Sequence, residues 1–469
     1  MQAKSWLENL KKIIKFAIFA KQTGMMGRTG ILKISKIVLT SAALLLMASC
    51  ATVKETGRTS KDLSYLYNPV RNPIHPRYRV YNVSDDMSEL TIRFFSDDLF
   101  FSEANPEGVP KAAMAMIYRL YDMSAGRIVA DTGFFNIAIR EKAGNRQYTY
   151  TIAMNAPAGS KYEAELVIRD LIRDTRIQAH IPFDKTSVYS RNNFKVRGHF
   201  NKIGLFNHVL RPNEFINLQY RYNTDSIFIR YFAPDEKTPD PPSMLIPQES
   251  IDTEPEEIIA LAYSDTLPLM FPDKGIFMCC PDKNIQEGYT LFNFGKEYPG
   301  MREPETMIEP LIYLTNEEEI RKMNESERVK LALDEFWLSI SGNIERSREL
   351  IRIYYNRVLY ANFFFNSHKE GWRTDRGMIY IIYGPPDRVY KTTEGEQWGY
   401  LKKQLEKGWG IRYKVKNDYL YFNFAKRENP FSTNDYTLLR SESLTTYWEQ
   451  AIRTWRSGIV FRLDNPAGI

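Results

Sequence analysis

Residues 315–340 read TNEEEIRKMNESERVKLALDEFWLSI, and within this stretch the spacing of apolar residues changes from that of strands to that of a helix. Val329, Leu333, Phe336, Trp337 and Ile340 fall at i, i+4, i+7, i+8 and i+11, which aligns them as one stripe on a helix. Just upstream, Thr315-Asn-Glu-Glu318 has the capping-box pattern, with the Thr315 hydroxyl at the cap and Glu318 reaching back to it. After Ser341-Gly-Asn343 a second helix places Ile351, Tyr354, Tyr355, Val358 and Phe365 on one side. Two such helices with a short connection predict an antiparallel hairpin, and its apolar stripe needs a cover.

The cover is expected downstream. Met378–Tyr383 reads as a compact apolar strand, Gly384-Pro385-Pro386-Asp387 as a turn, and Arg388–Lys391 and Tyr419–Phe424 as further strands. Leu444–Trp455 closes the chain as an aromatic-rich helix, giving an α+β unit over 315–461.

Upstream the signal is alternation. Leu90, Ile92 and Phe94 share one strand face against Thr91 and Arg93, and Tyr162, Ala164, Leu166 and Ile168 alternate with Glu163 and Glu165. Similar runs at 114–120, 133–139, 148–154 and 175–181 predict an immunoglobulin-like β-sandwich over 77–196. A second region of the same kind, 197–314, contains Ile216–Tyr222, a turn at Asn223-Thr-Asp225, and Ile227–Phe232, read as a hairpin. Six prolines between Pro234 and Pro255 predict a long exposed loop. The fold class is therefore multidomain and β-rich: two immunoglobulin-like β-sandwich regions followed by an α+β C-terminal domain.

Composition agrees. The 469 residues include 29 Tyr, 27 Phe and 7 Trp, side chains that suit pleated surfaces. A mean hydropathy of −0.42 excludes a polytopic membrane protein, and 43% hydrophobic residues exclude a disordered chain. The formal charge of +6 invites a nucleic-acid partner until it is located. Residues 1–49 hold eight of the 63 basic side chains and one of the 57 acidic ones, so from Cys50 onward the chain is nearly neutral. No nucleic-acid partner is expected.

Those first residues carry an address. Arg28, Lys33 and Lys36 precede an uncharged run, Ile37–Ala48, too short to span a bilayer, which needs about 20 residues. The run ends in Leu46-Met47-Ala48-Ser49-Cys50, which resembles the lipobox of bacterial lipoproteins. The resemblance implies a leader over 1–49, acylation of Cys50, and membrane attachment through that lipid. Residues 1–25 precede a signal that is already complete and read as a misassigned start, with an amphipathic membrane-binding helix as the competing reading. Residues 50–76, polar and proline-containing, read as a tether. No dense acidic run, of the kind that resembles a surface-export signal, follows Cys50, so the expected location is the periplasmic face of the outer membrane.

One local pattern is specific. The second helix runs into Asn366-Ser367-His368-Lys369-Glu370 and then Gly371-Trp372-Arg373-Thr374-Asp375-Arg376-Gly377. Gly371, Trp372, Thr374 and Asp375, with the Gly384-Pro385-Pro386-Asp387 turn, resemble the GWxTD domain of lipoproteins and secreted proteins of the Bacteroidota. That family brings no established activity with it. The residues themselves admit a structural account. Gly371 would end the helix in a left-handed conformation, Trp372 would plug the core, and Thr374 or Asp375 would accept backbone N–H groups. A catalytic account would pair His368 with Asp375 as base and orienter, and use Ser367 or Thr374 as nucleophile. No nucleophile elbow, Walker loop or dinucleotide fingerprint accompanies it.

No cofactor and no metal are expected, because His75, His180, His199 and His208 lie at no recognised ligand spacing. Cys279 and Cys280 are adjacent, which would strain a disulfide between them, so they read as small apolar side chains, with a redox pair as the alternative. Three functions stand against one another: a scaffold for another envelope protein, an envelope hydrolase at the His368–Asp375 turn, and a glycan-binding module using Trp398, Trp409 or Trp448.

Overall fold

Seven antiparallel strands occupy the region where alternation begins. They are β1 (Arg77–Asn82), β2 (Met87–Phe95), β3 (Lys111–Asp122), β4 (Ile128–Arg140), β5 (Gln147–Asn155), β6 (Lys161–Asp170) and β7 (Arg176–Asp184). This computed structural model describes residues 62–464 apart from 70–73, 104–107, 145, 246–249 and 408–412, with the backbone alone at 403–407 and 413–417. Cys50, the leader, most of the tether and Trp409 lie outside the described residues. The strands form two sheets, β1-β2-β5 and β4-β3-β6-β7. Leu90, Ile92 and Phe94 from one sheet and Met116, Leu166 and Ile168 from the other are fully buried in one core.

The second region holds β8 (Phe194–Gly198), β9 (Ile216–Tyr220), β10 (Ser226–Phe232), β11 (Glu257–Ala262), β12 (Gly275–Cys280) and β13 (Tyr289–Asn293). The expected hairpin at Asn223-Thr-Asp225 does not form: β9 pairs with β8, while β10 lies inside the sheet β11-β10-β12-β13. The turn instead carries the chain from one sheet to the other, and Ile216, Leu218 and Tyr220 meet Ile227 and Ile229 in a shared core. Alternation tells which side chains are buried, and crossing between layers satisfies it as well as pairing does. Cys279 and Cys280 are free and fully buried in β12. Burial and the neighbouring Cys280 sulfur push the Cys279 thiol up to about 12.

The proline-rich stretch is not simply exposed. Pro242 is buried, its carbonyl accepts from the Ser441 N–H (3.1 Å), and the Asp240 carbonyl accepts from Arg440 (3.0 Å). This stretch crosses the C-terminal body and is held to it by its backbone.

That body contains α1 (Pro304–Ile308), α2 (Glu317–Asn324), α3 (Val329–Ser341), α4 (Ile344–Phe365), α5 (Asp375–Tyr383) and α6 (Thr445–Arg456). Its sheet runs β14-β15-β16-β17, with β14 (Arg388–Lys391), β15 (Gly395–Lys407), β16 (Tyr413–Lys426) and β17 (Tyr436–Leu438). The capping box sits one residue later than expected. Asn316 Oδ1 accepts the Glu319 N–H (2.9 Å) and Glu319 Oε2 accepts the Asn316 N–H (3.0 Å), because the Thr315 hydroxyl donates to the Leu311 carbonyl (2.7 Å). Gly342, at φ +78°, ends α3, and Asn343 caps α4. Leu333, Trp337, Tyr354, Val358 and Phe365 are all buried in one core.

Two expectations fail here. Met378–Tyr383 is not a strand but the body of α5. All nine residues of α5 are buried, so no polar face marks a helical period, and a short apolar run is ambiguous between helix and strand. The tether reading fails for Asp62–Asn68. Residues Ser64–Tyr67 form a 3-10 turn, and Leu63 and Tyr67 are buried in the core of α3, α4 and α5. The Leu63 N–H donates to the Val389 carbonyl (2.8 Å), and the Asp62 carboxylate accepts the Val389 N–H (2.9 Å). Polarity and prolines described the segment, but its few apolar residues decide where it goes. Among the described residues, no helix is long and apolar enough to cross a membrane.

Candidate functional site

The Gly371–Asp375 motif is a joint between α4 and α5. After α4 ends at Phe365, the chain turns back and Gly371–Arg373 form one 3-10 turn. Gly371 is not left-handed, contrary to expectation. It is a close-approach glycine: a Cβ there would lie 2.0 Å from the Ala361 carbonyl oxygen. A Cβ on Gly377 would likewise lie 2.0 Å from the Gly371 oxygen, so Gly371 seats the 3-10 turn on α4 and Gly377 seats α5 on that turn.

Each motif side chain has its own task. Trp372 is fully buried; its N–H donates to Asn362 Oδ1 (3.0 Å), its indole to Glu370 (3.1 Å), and its carbonyl accepts from the Tyr313 hydroxyl (2.7 Å). Thr374 is the N-cap of α5, accepting the Gly377 N–H at 3.0 Å and donating to the Gly371 carbonyl at 2.7 Å. Asp375 occupies the first turn of α5, where a negative charge complements the helix dipole. Its carboxylate accepts the Leu438 N–H (2.8 Å) and pairs with Arg440 (2.6 Å), which ties α5 to β17. At the other end Arg357 donates to the Ile381 and Ile382 carbonyls (2.8 and 3.0 Å). Gly384 (φ +83°) ends α5 and its carbonyl accepts from the Tyr400 hydroxyl (2.8 Å). Pro385 and Pro386 carry the chain to Asp387, whose carboxylate accepts the Leu401 N–H (2.8 Å).

The structure does not pair His368 with Asp375. His368 Nε2 instead faces Asp235 in the proline-rich stretch (3.2 Å), and its Nδ1 lies 2.8 Å from Asn429 Nδ2 and 3.2 Å from Ser367 Oγ. Asn429 Oδ1 accepts the Phe431 and Ser432 N–H groups (2.8 and 3.2 Å), which turns Nδ2 toward the ring. Nδ1 is then the acceptor and the proton belongs on Nε2, donating to Asp235. Burial alone would raise the Asp235 carboxyl, but His368, Lys369 and the Lys237 N–H outweigh it and hold it well below the usual carboxylate range. Ser367 is 0% exposed and His368 4%, so the hydroxyl and imidazole are buried, while the Asp235 carboxylate at the end of the series is 30% exposed.

Below the motif, Arg376 and Glu396 form a buried ion pair (3.2 Å). Glu396 also accepts from Lys391 (2.8 Å), Tyr67 (2.9 Å) and Trp398 (3.0 Å). Burial raises its pKa and the Lys391 and Arg376 cations more than reverse this, leaving it at about 2.

Asp235, Arg440, Asn429, Arg376 and Glu396 are partners that inspection of the motif misses. Glu396 had a signal: it stands two residues from Trp398 and four from Tyr400, on the strand face that points inward. Asp235 and Arg440 had none, since both lie in irregular segments. Trp398 and Trp448, candidate glycan platforms, are 0% and 9% exposed. Among the described residues no group of three His, Cys, Asp or Glu could hold a metal. Two cavities, of about 320 and 410 Å³, lie elsewhere, one beside Asp62 and Gln178 and one between α2 and α3.

No curated protein matches the chain. Among solved structures, a β-glucuronidase of Bacteroides uniformis aligns at 12% identity and a TM-score of 0.18, covering 35% of this chain and 16% of that one. The Bacteroides uniformis β-glucuronidase 2 covalently bound to cyclophellitol-6-carboxylate aziridine aligns at 13%, with the same coverage and TM-score. At that TM-score the likeness bears on neither fold nor activity. Residues 275–457 match the GWxTD domain, a span that runs from β12 through the helical hairpin and α5 to the end of α6.

Proposed function

We propose that this protein is a lipid-anchored component of the cell envelope whose GWxTD domain is a non-enzymatic scaffold, holding another envelope protein at the periplasmic face of the outer membrane. The observation that carries this reading is the use made of the motif. Trp372, Thr374 and Asp375 direct their polar groups to backbone or to Glu370 and Arg440, and their buried positions leave no reacting group facing solvent. The buried Trp398 and Trp448 weigh against glycan stacking.

The immunoglobulin-like reading of 77–196 is supported by its three-plus-four strand arrangement and by Tyr162. Its hydroxyl donates to the Pro157 carbonyl (2.7 Å) near the start of β6, the tyrosine corner of such domains.

The hydrolase alternative draws on one observation, the Ser367, His368 and Asp235 side chains in series. The burial of the Ser367 hydroxyl, which would have to meet a substrate, argues for a structural network. Crosslinking the intact lipoprotein in outer membranes is expected to return one envelope protein in preference to abundant bulk proteins, and Cys50→Ala is expected to release the chain from the membrane fraction. Recovery of bulk proteins alone would sink the scaffold. A Ser367→Ala chain that folds but reproduces the phenotype of gene loss would favour the hydrolase instead.

A further inference from the structure

The outer face of the β1-β2-β5 sheet carries three arginines that form no ion pair among the described residues. On β1 and β2 the residues Val80, Leu90, Ile92 and Phe94 point into the core, so the alternate positions Arg77, Arg79 and Arg93 share the opposite face. Arg77 stands directly across from Arg93 in the pairing register, and Arg79 is two residues along from Arg77.

All three arginines are partly buried. Arg79 and Arg93 both lie over the Phe206 ring, 5.1 and 4.4 Å from its centroid, and Arg77 lies 3.7 Å from the centroid of Phe363. Aromatic faces orient guanidinium planes without neutralising them. Arg79 is seated against Gly204, where an added Cβ would meet its Nη1 at 2.3 Å, and it reaches the Val196 and Leu205 carbonyls only at 3.4 and 3.5 Å. The Nε atoms of Arg79 and Arg93 are buried without a partner.

Among the described residues no carboxylate forms an ion pair with the cluster. Glu89 acts on Arg79 and Asp98 on Arg77, but neither forms an ion pair with it, and Asp98 is directed to His75 (3.6 Å). Burial lowers all three arginines from their usual range, Arg77 to about 10, with repulsion between Arg77 and Arg93 and between Arg93 and Arg79 adding to it. Beside Arg93, across the β2–β5 register, stands the exposed Thr149, and Thr91 lies opposite Thr151. Thr149 and Thr151 on β5 are exposed, so solvent reaches this face beside Arg93.

We propose that Arg77, Arg79 and Arg93, with the hydroxyls of Thr91 and Thr149 beside them, form a binding site for a phosphate group, either free phosphate or the headgroup of a lipid. One guanidinium suffices for the two oxygens of a carboxylate, whereas three guanidiniums and two hydroxyls match a tetrahedral oxyanion with several oxygens and close to two charges. The chain beyond Cys50 is nearly neutral overall, without the net positive charge that favours a polyanion.

The test uses the full chain carrying Cys50→Ala, so that no attached lipid contributes to membrane binding. Titration calorimetry with inorganic phosphate is expected to show saturable binding, weakened about tenfold or more by Arg93→Gln and less by Arg93→Lys, which keeps the charge and loses the fork. Unfolding midpoints of the variants identify any that fail to fold, and Arg93→Lys decides if Arg93→Gln does. Sedimentation with phosphatidylcholine vesicles, with and without phosphatidic acid, separates the sources. Recruitment only by phosphatidic acid, lost in Arg93→Gln and competed by phosphate, makes the ligand a lipid headgroup; phosphate binding without recruitment makes it a free anion. Absence of saturable binding to either probe by the folded chain, or equal binding by folded Arg93→Gln and Arg93→Lys variants, overturns the proposal.

Discussion

Glu396 is the residue on which the most separate parts of the C-terminal body converge. Tyr67 comes from the segment before β1, Arg376 from α5, Lys391 from β14 and Trp398 from β15, and all four direct donors at one carboxylate. A carboxylate so placed is costly to leave unpaired and hard to protonate. Its folded pKa of about 2 lies below the ordinary value of 4.5, so it contributes stability that is fully present above 4.5 and lost as pH falls toward 2. The urea midpoint of the native chain is expected to fall between pH 5 and pH 3, measured as about two points on that limb. Glu396→Gln should start lower, because Lys391 and Arg376 lose their counter-charge, and should decline less over the same interval. Parallel declines of the two midpoints would remove Glu396 as the source of the acid sensitivity.

At the scale of elements, α5 is short and apolar, and its ends are fixed by residues outside its own run. Thr374 caps the start, Arg357 of α4 covers the last carbonyls, and Gly377 seats it on the 3-10 turn that Gly371 seats on α4. Thr374→Ala removes the acceptor for the Gly377 N–H and should destabilise the fold by about 1 kcal/mol, within roughly 0.5–2. Thr374→Ser keeps the hydroxyl and should recover most of that difference in a urea titration; an Ala variant as stable as the native chain would show that the cap contributes nothing. This element also marks the limit of what sequence patterns disclose. Amphipathic elements such as β2, β6 and the α3–α4 hairpin were readable because water lies on one side of them and the polar face records it. With every residue of α5 buried, no such record exists, and a strand was the natural reading of Met378–Tyr383. The motif residues were visible as a pattern, and Thr374 as an acceptor of backbone N–H groups, but Gly371 needs Ala361 beside it before its role is clear, and His368 needs Asp235, 133 residues away.

At the scale of the described molecule, two irregular segments tie distant parts of the chain to the GWxTD region. The proline-rich stretch places Asp235 against His368 and the Glu236 and Asp240 carbonyls against Arg373 and Arg440. The segment before β1 places Tyr67 among Phe364, Phe365 and Trp398, with ring centroids 5.6, 4.9 and 5.2 Å away, while its carbonyl accepts from the Tyr380 hydroxyl of α5 (3.0 Å). The C-terminal core is therefore completed by residues more than 300 positions upstream in sequence, so residues 315–461 lack part of their own interior. Tyr67→Ala should destabilise that region by about 3–5 kcal/mol, the cost of removing a buried aromatic ring, with an added loss from the donor to Glu396. Tyr67→Phe should lose only the hydroxyl's share, about 1–3 kcal/mol. Hydrogen exchange read at α5 and β15 is the deciding measurement. Faster exchange there in Tyr67→Ala, graded through Tyr67→Phe, is expected if the segment is part of the core, whereas exchange changed only near residues 62–69 would show it to be a dispensable attachment.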